Sequence, residues 1–179
     1  MQYAEDHAPD ADKVITLFTT TFTASVSETE GRLIGTLVDQ LLRDRQSDGT
    51  RVFTATDDDS LVGAVLFSPL RYTDDPRTVV LLSPMAVATT RHGEGIGQAL
   101  ITHALNVLRA AGTDVAITYG SPIYYGKTGF SPITEDIAAA PLPLSYPHGW
   151  IAQSLTTESL TSLQGRPTCV PALNTPDVW

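Results

Sequence analysis

Apolar residues at Val14, Leu17, Phe18 and Phe22 repeat at helical spacing and predict a helix from Asp10 to about Ser25. Ser27-Glu28-Thr29-Glu30 follows, a hydroxyl three residues ahead of a carboxylate, the arrangement of a capping box. The helix it opens should bury Leu33, Ile34, Leu37, Val38, Leu41 and Leu42. Arg43 and Arg45 lie toward its C-terminal end, where the dipole favours cations. The period then changes. Arg51–Thr56 and Leu61–Phe67 are β-rich runs on either side of Asp57-Asp58-Asp59-Ser60, which predicts a hairpin. After the acidic loop Tyr72–Pro76 comes the longest apolar run, Thr78–Ala88, expected to be the central strand of a sheet. Pro84 lies inside it. Proline donates no ladder hydrogen bond, so a bulge or local break is expected there.

Glycines at 93, 95 and 97 end that run and open another amphipathic helix. Ile96, Leu100, Ala104, Val107, Leu108 and Ala111 share one face of it, and Gly112 is a C-cap. Asp114–Tyr119 reads as a further buried strand. Strand, helix and strand form a crossover, so the two strands should run parallel. From Pro132 to Pro176 prolines recur. This stretch is expected to be irregular, with one or two strands and a short helix near Trp150–Leu155.

Composition narrows the picture. With 179 residues, 42% hydrophobic and 17% charged, the chain has enough material for one domain with a real core. The formal net charge of −9 argues against a nucleic-acid binder and leaves room for a cationic or neutral ligand. Cys169 is the single cysteine, so no intramolecular disulfide forms, which fits a reducing compartment. The start MQYAEDHAPDADK has no basic and apolar leader pattern, and no apolar run approaches the roughly 18 residues of a membrane span. The expectation is a soluble cytoplasmic protein, monomer or homodimer, with no nucleic acid or membrane as partner. His7, His103 and His148 show no metal-ligand spacing with carboxylates or with Cys169, so no metal is expected. His103 lies near the buried face of its helix and is expected to pack there.

The glycine loop is the place for chemistry. Such a loop brings backbone N–H groups and a helix dipole to one point, which suits phosphate. A P-loop requires Gly-Lys-Ser/Thr after its glycines, and no lysine follows Gly97. A dinucleotide fingerprint requires Gly-x-Gly-x-x-Gly and an acidic residue about 20 positions on. Here the spacing is Gly-x-Gly-x-Gly and the acidic residue would be Asp114, at the start of a strand. Arg91-His92-Gly93-Glu94-Gly95-Ile96-Gly97, preceded by Met85-Ala86-Val87, closely resembles the acetyl-CoA loop of the GNAT superfamily of N-acetyltransferases. Tyr125-Gly126-Lys127-Thr128-Gly129-Phe130 resembles the superfamily's Tyr-x-x-x-Gly-Phe segment. Gly120-Ser121-Pro122-x-Tyr-Tyr is similar to the Gly-Asp-Pro-x-Tyr-Tyr element of one bacterial branch.

The resemblance implies an α/β (α+β) fold with a mixed, mostly antiparallel central sheet splayed at one parallel strand pair and flanked by helices. It implies a core over residues 1–135, with the proline-rich 136–179 as an extension packed on the same domain. The co-substrate would be acetyl-CoA and the acceptor a primary amine, on a small molecule or a peptide. Its pyrophosphate would lie on the N–H groups of Gly93–Gly97, where glycine allows close approach and positive φ. A backbone N–H near Ala86 or Val87 would polarise the acetyl carbonyl. Tyr125 matches the general acid, and a phenol is a suitable proton donor to a departing thiolate. Tyr124 is expected to be a core or wall residue.

His92 departs from the family's Gln or Arg, and its ring would donate to a phosphate. Arg91 and Lys127 are the cations of the two motifs. Glu94 is uncomfortable beside a pyrophosphate and is expected to turn to solvent. Glu28 and Glu30 lie where the helix pair lines the acceptor side, or serve as caps. Ser121 stands in place of the branch's Asp. No general base is identifiable. Two other readings remain beside this one, a non-catalytic acyl-CoA-binding or regulatory module and a different nucleotide-binding α/β domain.

Overall fold

The computed structural model describes residues 1–179. Helix α1 (Ala11–Ser25) starts where the Asp10 side chain accepts the Lys13 N–H at 3.2 Å. Helix α2 (Glu28–Asp48) starts where the Ser27 hydroxyl accepts the Glu30 N–H at 3.1 Å. The reciprocal half of the expected capping box is not made, because the Ser27 N–H is bonded to the Phe22 carbonyl at 3.2 Å. Gly49, at φ 80°, ends α2 in the left-handed region, later than the Arg43–Arg45 end expected. Leu33 is half-buried, whereas the other apolar positions predicted for α2 are buried. The two helices pack closely at Gly31 and Gly35. A Cβ at Gly31 would lie 2.7 Å from the Thr19 carbonyl, and one at Gly35 would collide with the Thr19 hydroxyl.

Two compact units divide the chain, Met1–Phe67 with Pro84–Ala104, and Ser68–Ser83 with Leu105–Trp179. In the first, β2 (Arg51–Asp57) and β3 (Ser60–Pro69) form the expected hairpin, with Asp57 opposite Ser60. Asp58 and Asp59, at φ 45° and 63°, make the left-handed two-residue turn that matches strand twist. An unpredicted strand, β1 (Gln2–Glu5), pairs antiparallel with β2. Phe53 and Phe67 meet edge to face at 5.7 Å in the core.

In the second unit, the first half of β5 (Val79–Val87) pairs in parallel with β6 (Val115–Tyr119), from Val79↔Val115 to Leu82↔Thr118. The crossover helix is α3 (Ile96–Ala110). It ends in a Schellman motif: Thr113 N–H bonds Leu108 O at 3.0 Å, Gly112 N–H bonds Arg109 O at 3.1 Å, and Gly112 has φ 87°. Its buried stripe is broader than predicted and takes in Ile101 and Leu105, while Val107 is half-buried and Ala111 exposed. Two residues, Arg71–Tyr72 (β4), pair with a short strand far along the tail.

The tail corrects one expectation. Trp150–Ser154 is a strand, not a helix, and pairs antiparallel with β6 from Tyr119↔Trp150 to Val115↔Ser154. Its neighbour Ser131–Pro132 (β7) makes it β8, and Pro167–Thr168 (β9) is the partner of β4. Trp150 and Ile151 are fully buried, and aromatic and β-branched side chains favour a strand beside a buried neighbour. The strands hydrogen-bond in the order β1-β2-β3-β5-β6-β8-β7, a mixed and mostly antiparallel sheet with one parallel pair, as expected. No helix is long and apolar enough to cross a membrane.

Candidate functional site

The chain leaves β5 at Val87 and makes a single 3-10 turn over Thr89–Arg91. Gly93 and Gly95 follow at φ 85° and 77°, in the region that favours glycine, and a Cβ on either would enter open space. The first bond of α3 runs from the Ala99 N–H to the Gly95 carbonyl at 3.0 Å. The N–H groups of Ile96, Gly97 and Gln98 therefore have no acceptor within the helix. Donors without acceptors, at the positive end of a 15-residue helix, fit an anion that no lysine needs to hold.

The side chains of the loop are committed elsewhere. Arg91 Nε donates to both Glu94 oxygens at 2.9 Å, and its Nη1 reaches Asp57 at 3.0 Å. Arg91 holds the Glu94 carboxyl below its ordinary value. Glu94 thus reaches solvent as part of an ion pair. His92 Nε2 lies 2.8 Å from the Val87 carbonyl. A carbonyl has no proton to give, so Nε2 is the donor and Nδ1 is the nitrogen available to another partner. The Thr21 hydroxyl also donates to the Val87 carbonyl, at 3.4 Å. The end of β5 is therefore fixed from two sides. Ala86 and Val87 are buried there, and Met85 is half-buried.

The parallel ladder stops at Leu82↔Thr118. At the next position the strands are joined by side chains instead, Ser83 Oγ and Tyr119 Oη at 2.6 Å. The Thr118 hydroxyl donates to the Leu82 carbonyl at 2.8 Å. Pro84 comes immediately after, within β5, where the sequence predicted a disturbance.

Tyr125 belongs to the other unit and sits on α4 (Pro122–Gly126), a short helix that sequence reasoning missed. Its signals were present: Ser121 is the N-cap and accepts the Tyr124 N–H at 3.3 Å, with proline in the first turn. The Tyr125 carbonyl is held by the Thr128 hydroxyl at 2.8 Å and the Thr128 N–H at 2.9 Å. Its ring stands edge-on to Tyr124 at 5.2 Å and to Phe130 at 5.9 Å. A Cβ on Gly120 would lie 2.8 Å from that ring, so glycine is needed for the contact. Burial pushes the Tyr125 phenol well above the ordinary tyrosine value. The Tyr124 phenol adds to the rise, and a Thr118 hydroxyl opposes it.

Met85, Ala86, Val87, His92, Gly93, Glu94, Gly95, Ile96 and Gly97 thus form one continuous strand end and loop in the first unit, and Tyr125 and Lys127 lie in the second. Lys127 is exposed at the end of α4. Glu28 pairs with Arg32 on the solvent side of α2. His103 contacts the rings of Tyr3 and Phe53, each at 6.4 Å. No group of three or more His, Cys, Asp or Glu side chains is placed to hold a metal ion. The Val87 contacts of Thr21 and His92, and the Ser83–Tyr119 bond, join residues far apart in the chain or across a turn, and no local pattern announces them.

The model of the acetyltransferase (GNAT) family matches residues 11–119. The uncharacterized N-acetyltransferase YhbS of Escherichia coli (strain K12) is 32% identical over 94 residues, 51% of this chain and 56% of that protein. The chain spans about half the length of the curated relatives it matches. The crystal structure of a GNAT family N-acetyltransferase (YhbS) from Escherichia coli in complex with CoA has a TM-score of 0.76 at 22% identity, covering 99% of this chain and 93% of that one. A GNAT family acetyltransferase from Brucella melitensis in complex with acetyl-CoA has a TM-score of 0.73 at 23% identity, covering 96% of each chain. These two structures share the fold.

Proposed function

The chain belongs to the acetyltransferase (GNAT) family, and we propose that it transfers an acetyl group from acetyl-CoA to a primary amine by direct attack, with no acetylated enzyme between. The observation that carries this reading is the loop at 93–97, where left-handed glycines run into α3 and leave three N–H groups without helix acceptors. Acetyl-CoA supplies an activated thioester. The N–H groups from Gly93 to Gly97 bind its pyrophosphate, and His92 Nδ1 joins them as a donor when the ring carries its second proton. The backbone at Ala86 and Val87, held by His92 and Thr21 through the Val87 carbonyl, orients the acetyl group and polarises its oxygen. As the new C–N bond forms and the C–S bond breaks, the amine loses a proton to solvent and Tyr125 gives its own to the sulfur. The raised Tyr125 phenol keeps that proton in place at neutral pH.

The acceptor is a small-molecule or peptide amine. The protein acts in the cytoplasm as a monomer or homodimer, without nucleic acid, membrane or metal. Structural neighbours in complex with CoA and with acetyl-CoA support the donor.

Thiol release measured with acetyl-CoA and a panel of amines tests this. Turnover with at least one amine is expected, and Tyr125→Phe should lower kcat by roughly 100-fold or more, with little change in the KM for acetyl-CoA. Thermal stabilisation by CoA without turnover on any amine would point instead to an acyl-CoA-binding module.

A further inference from the structure

The peptide that joins Val87 to Ala88 is held from three directions, all within the first compact unit. Its N–H donates to the Val62 carbonyl of β3 at 2.9 Å. Its carbonyl accepts the Thr21 hydroxyl of α1 at 3.4 Å and the His92 Nε2–H at 2.8 Å. The first two bonds are fixtures. Val62 is 6% exposed and Thr21 7%, so both come out of the packed core. The bond from His92 is the shortest of the three, and it comes from an exposed residue of the glycine loop. Of the three it is the one free to respond to what the loop binds.

The ring has the means to respond. His92 directly precedes Gly93. The covalent structure of histidine puts Nδ1 on the backbone side of the ring, while Nε2 reaches back to Val87. The neighbouring cation is already taken, since Arg91 bonds both Asp57 and Glu94. The Val87 carbonyl takes the Nε2 proton, so Nδ1 meets a phosphate oxygen only by carrying the ring's second proton. Both nitrogens then donate from a charged ring. A charge-assisted hydrogen bond is about twice as strong as a neutral one. An anion at Nδ1 therefore tightens the bond on the other side of the ring, to Val87.

We propose that His92 is a positioning residue that couples the two ends of acetyl-CoA: pyrophosphate at Nδ1 strengthens the hold of Nε2 on Val87 and so firms the backbone that polarises the acetyl oxygen. The proposal rests on the acetyl-transfer reading and adds to it a route from the phosphates to the thioester. Binding at the unreactive end of the donor is thereby put to use at the reacting end.

S-acetylpantetheine, which has the same thioester and no phosphates, is the probe beside acetyl-CoA. Each is isotope-labelled at the acetyl carbonyl and bound to the whole chain, and the carbonyl stretch is read by difference infrared spectroscopy, which needs no acceptor. In the wild type the acetyl-CoA band should lie below the acetylpantetheine band, because a more polarised carbonyl is a weaker bond. In His92→Ala, an exposed loop position, the two bands should coincide. Thr21→Val loosens the same peptide from the core side, so both bands should rise together and the gap between them should remain. Coincident bands in the wild type, a gap that survives in His92→Ala, or a gap lost in Thr21→Val as well, would overturn the coupling. Thiol release with the amine panel is read alongside. The wild-type kcat with acetyl-CoA should exceed that with acetylpantetheine by roughly tenfold or more, and in His92→Ala the two should be nearly equal. Thiol release without the infrared gap would overturn the coupling and leave acetyl transfer standing. A gap that His92→Ala abolishes, with no thiol release from any amine, would uphold the coupling and overturn acetyl transfer.

Discussion

Ser121 stands where the bacterial branch it resembles has an aspartate, and it does work that either residue can do. Its hydroxyl caps α4, and serine and aspartate rank together as N-caps. Ser121→Ala should therefore cost about 1 kcal/mol of stability in denaturant unfolding. It should also lower kcat through the misplaced Tyr125, and Ser121→Asp should restore both. Glu94 gives a second residue-scale prediction. Its charge sits beside the anion loop and occupies Arg91. Glu94→Gln should lower the KM for acetyl-CoA several-fold, more at low ionic strength than at high, since exposed charges about 10 Å apart are screened at 0.1 M salt. For Tyr125, burial raises the phenol above its ordinary value near 10. The pH profile of kcat should then show no falling limb below about pH 10 that vanishes in Tyr125→Phe. The glycine loop was legible in the sequence because a turn with positive φ ahead of a helix demands glycine, whereas Tyr125 was singled out only by the resemblance of its segment. The partner of His92 was not legible. A histidine in a loop reads alike whether its ring meets a phosphate or the carbonyl of Val87.

At the level of elements, the α1–α2 pair depends on Gly31 and Gly35, one turn apart on α2 and pressed against Thr19 and Thr23. Gly35→Leu should force the helices apart and destabilise the protein by roughly 1–3 kcal/mol, the usual cost of overpacking, measured as a shift in the denaturation midpoint. The same glycines show how far periodicity carries. The stripe of leucines and isoleucines predicted α2 and its buried face, but glycine counted as neither apolar nor polar, so the closest contact in the pair went unseen. Helices α1 to α3, the β2–β3 hairpin, β5 and β6 all carry enough local pattern to be read directly. β1, β7 and β9 are strands of four residues or fewer that exist because a partner lies beside them. β8 shares this dependence. Trp-Ile-Ala-Gln-Ser has no alternation of its own, and its place beside β6 decides its conformation.

For the molecule as a whole, the tail beyond β8 is fastened by the β4–β9 pairing, by backbone bonds from Thr73 and Asp74, and by an ion pair between Asp75 and Arg77. Asp75, with only 3% of its side chain exposed, takes two bonds from Arg77 at 2.8 and 2.7 Å. Arg77 goes on to the carbonyls of Thr161 at 3.1 Å and Ser162 at 2.8 Å. Asp75 Oδ2 also accepts the Gln164 N–H at 3.0 Å. The Arg77 guanidinium holds the Asp75 carboxyl far below the usual carboxylate range. A value lower in the folded than in the unfolded chain means that the stabilisation is complete above the unfolded value, near 4, and fades as pH falls toward the folded one. Asp75→Ala should cost about 3 kcal/mol at pH 7, because it leaves Arg77 without its partner, and the gap in Tm between variant and wild type should narrow below about pH 4. Cys169 stands five residues beyond Gln164, next to β9, half-buried and with its thiol pushed up by burial. It is the single thiol of the chain, and it is sheltered only while the tail stays fastened. Labelled with an aromatic disulfide, wild type should react slowly and Asp75→Ala quickly, so the rate of one colour change becomes a clock for how often the tail comes loose.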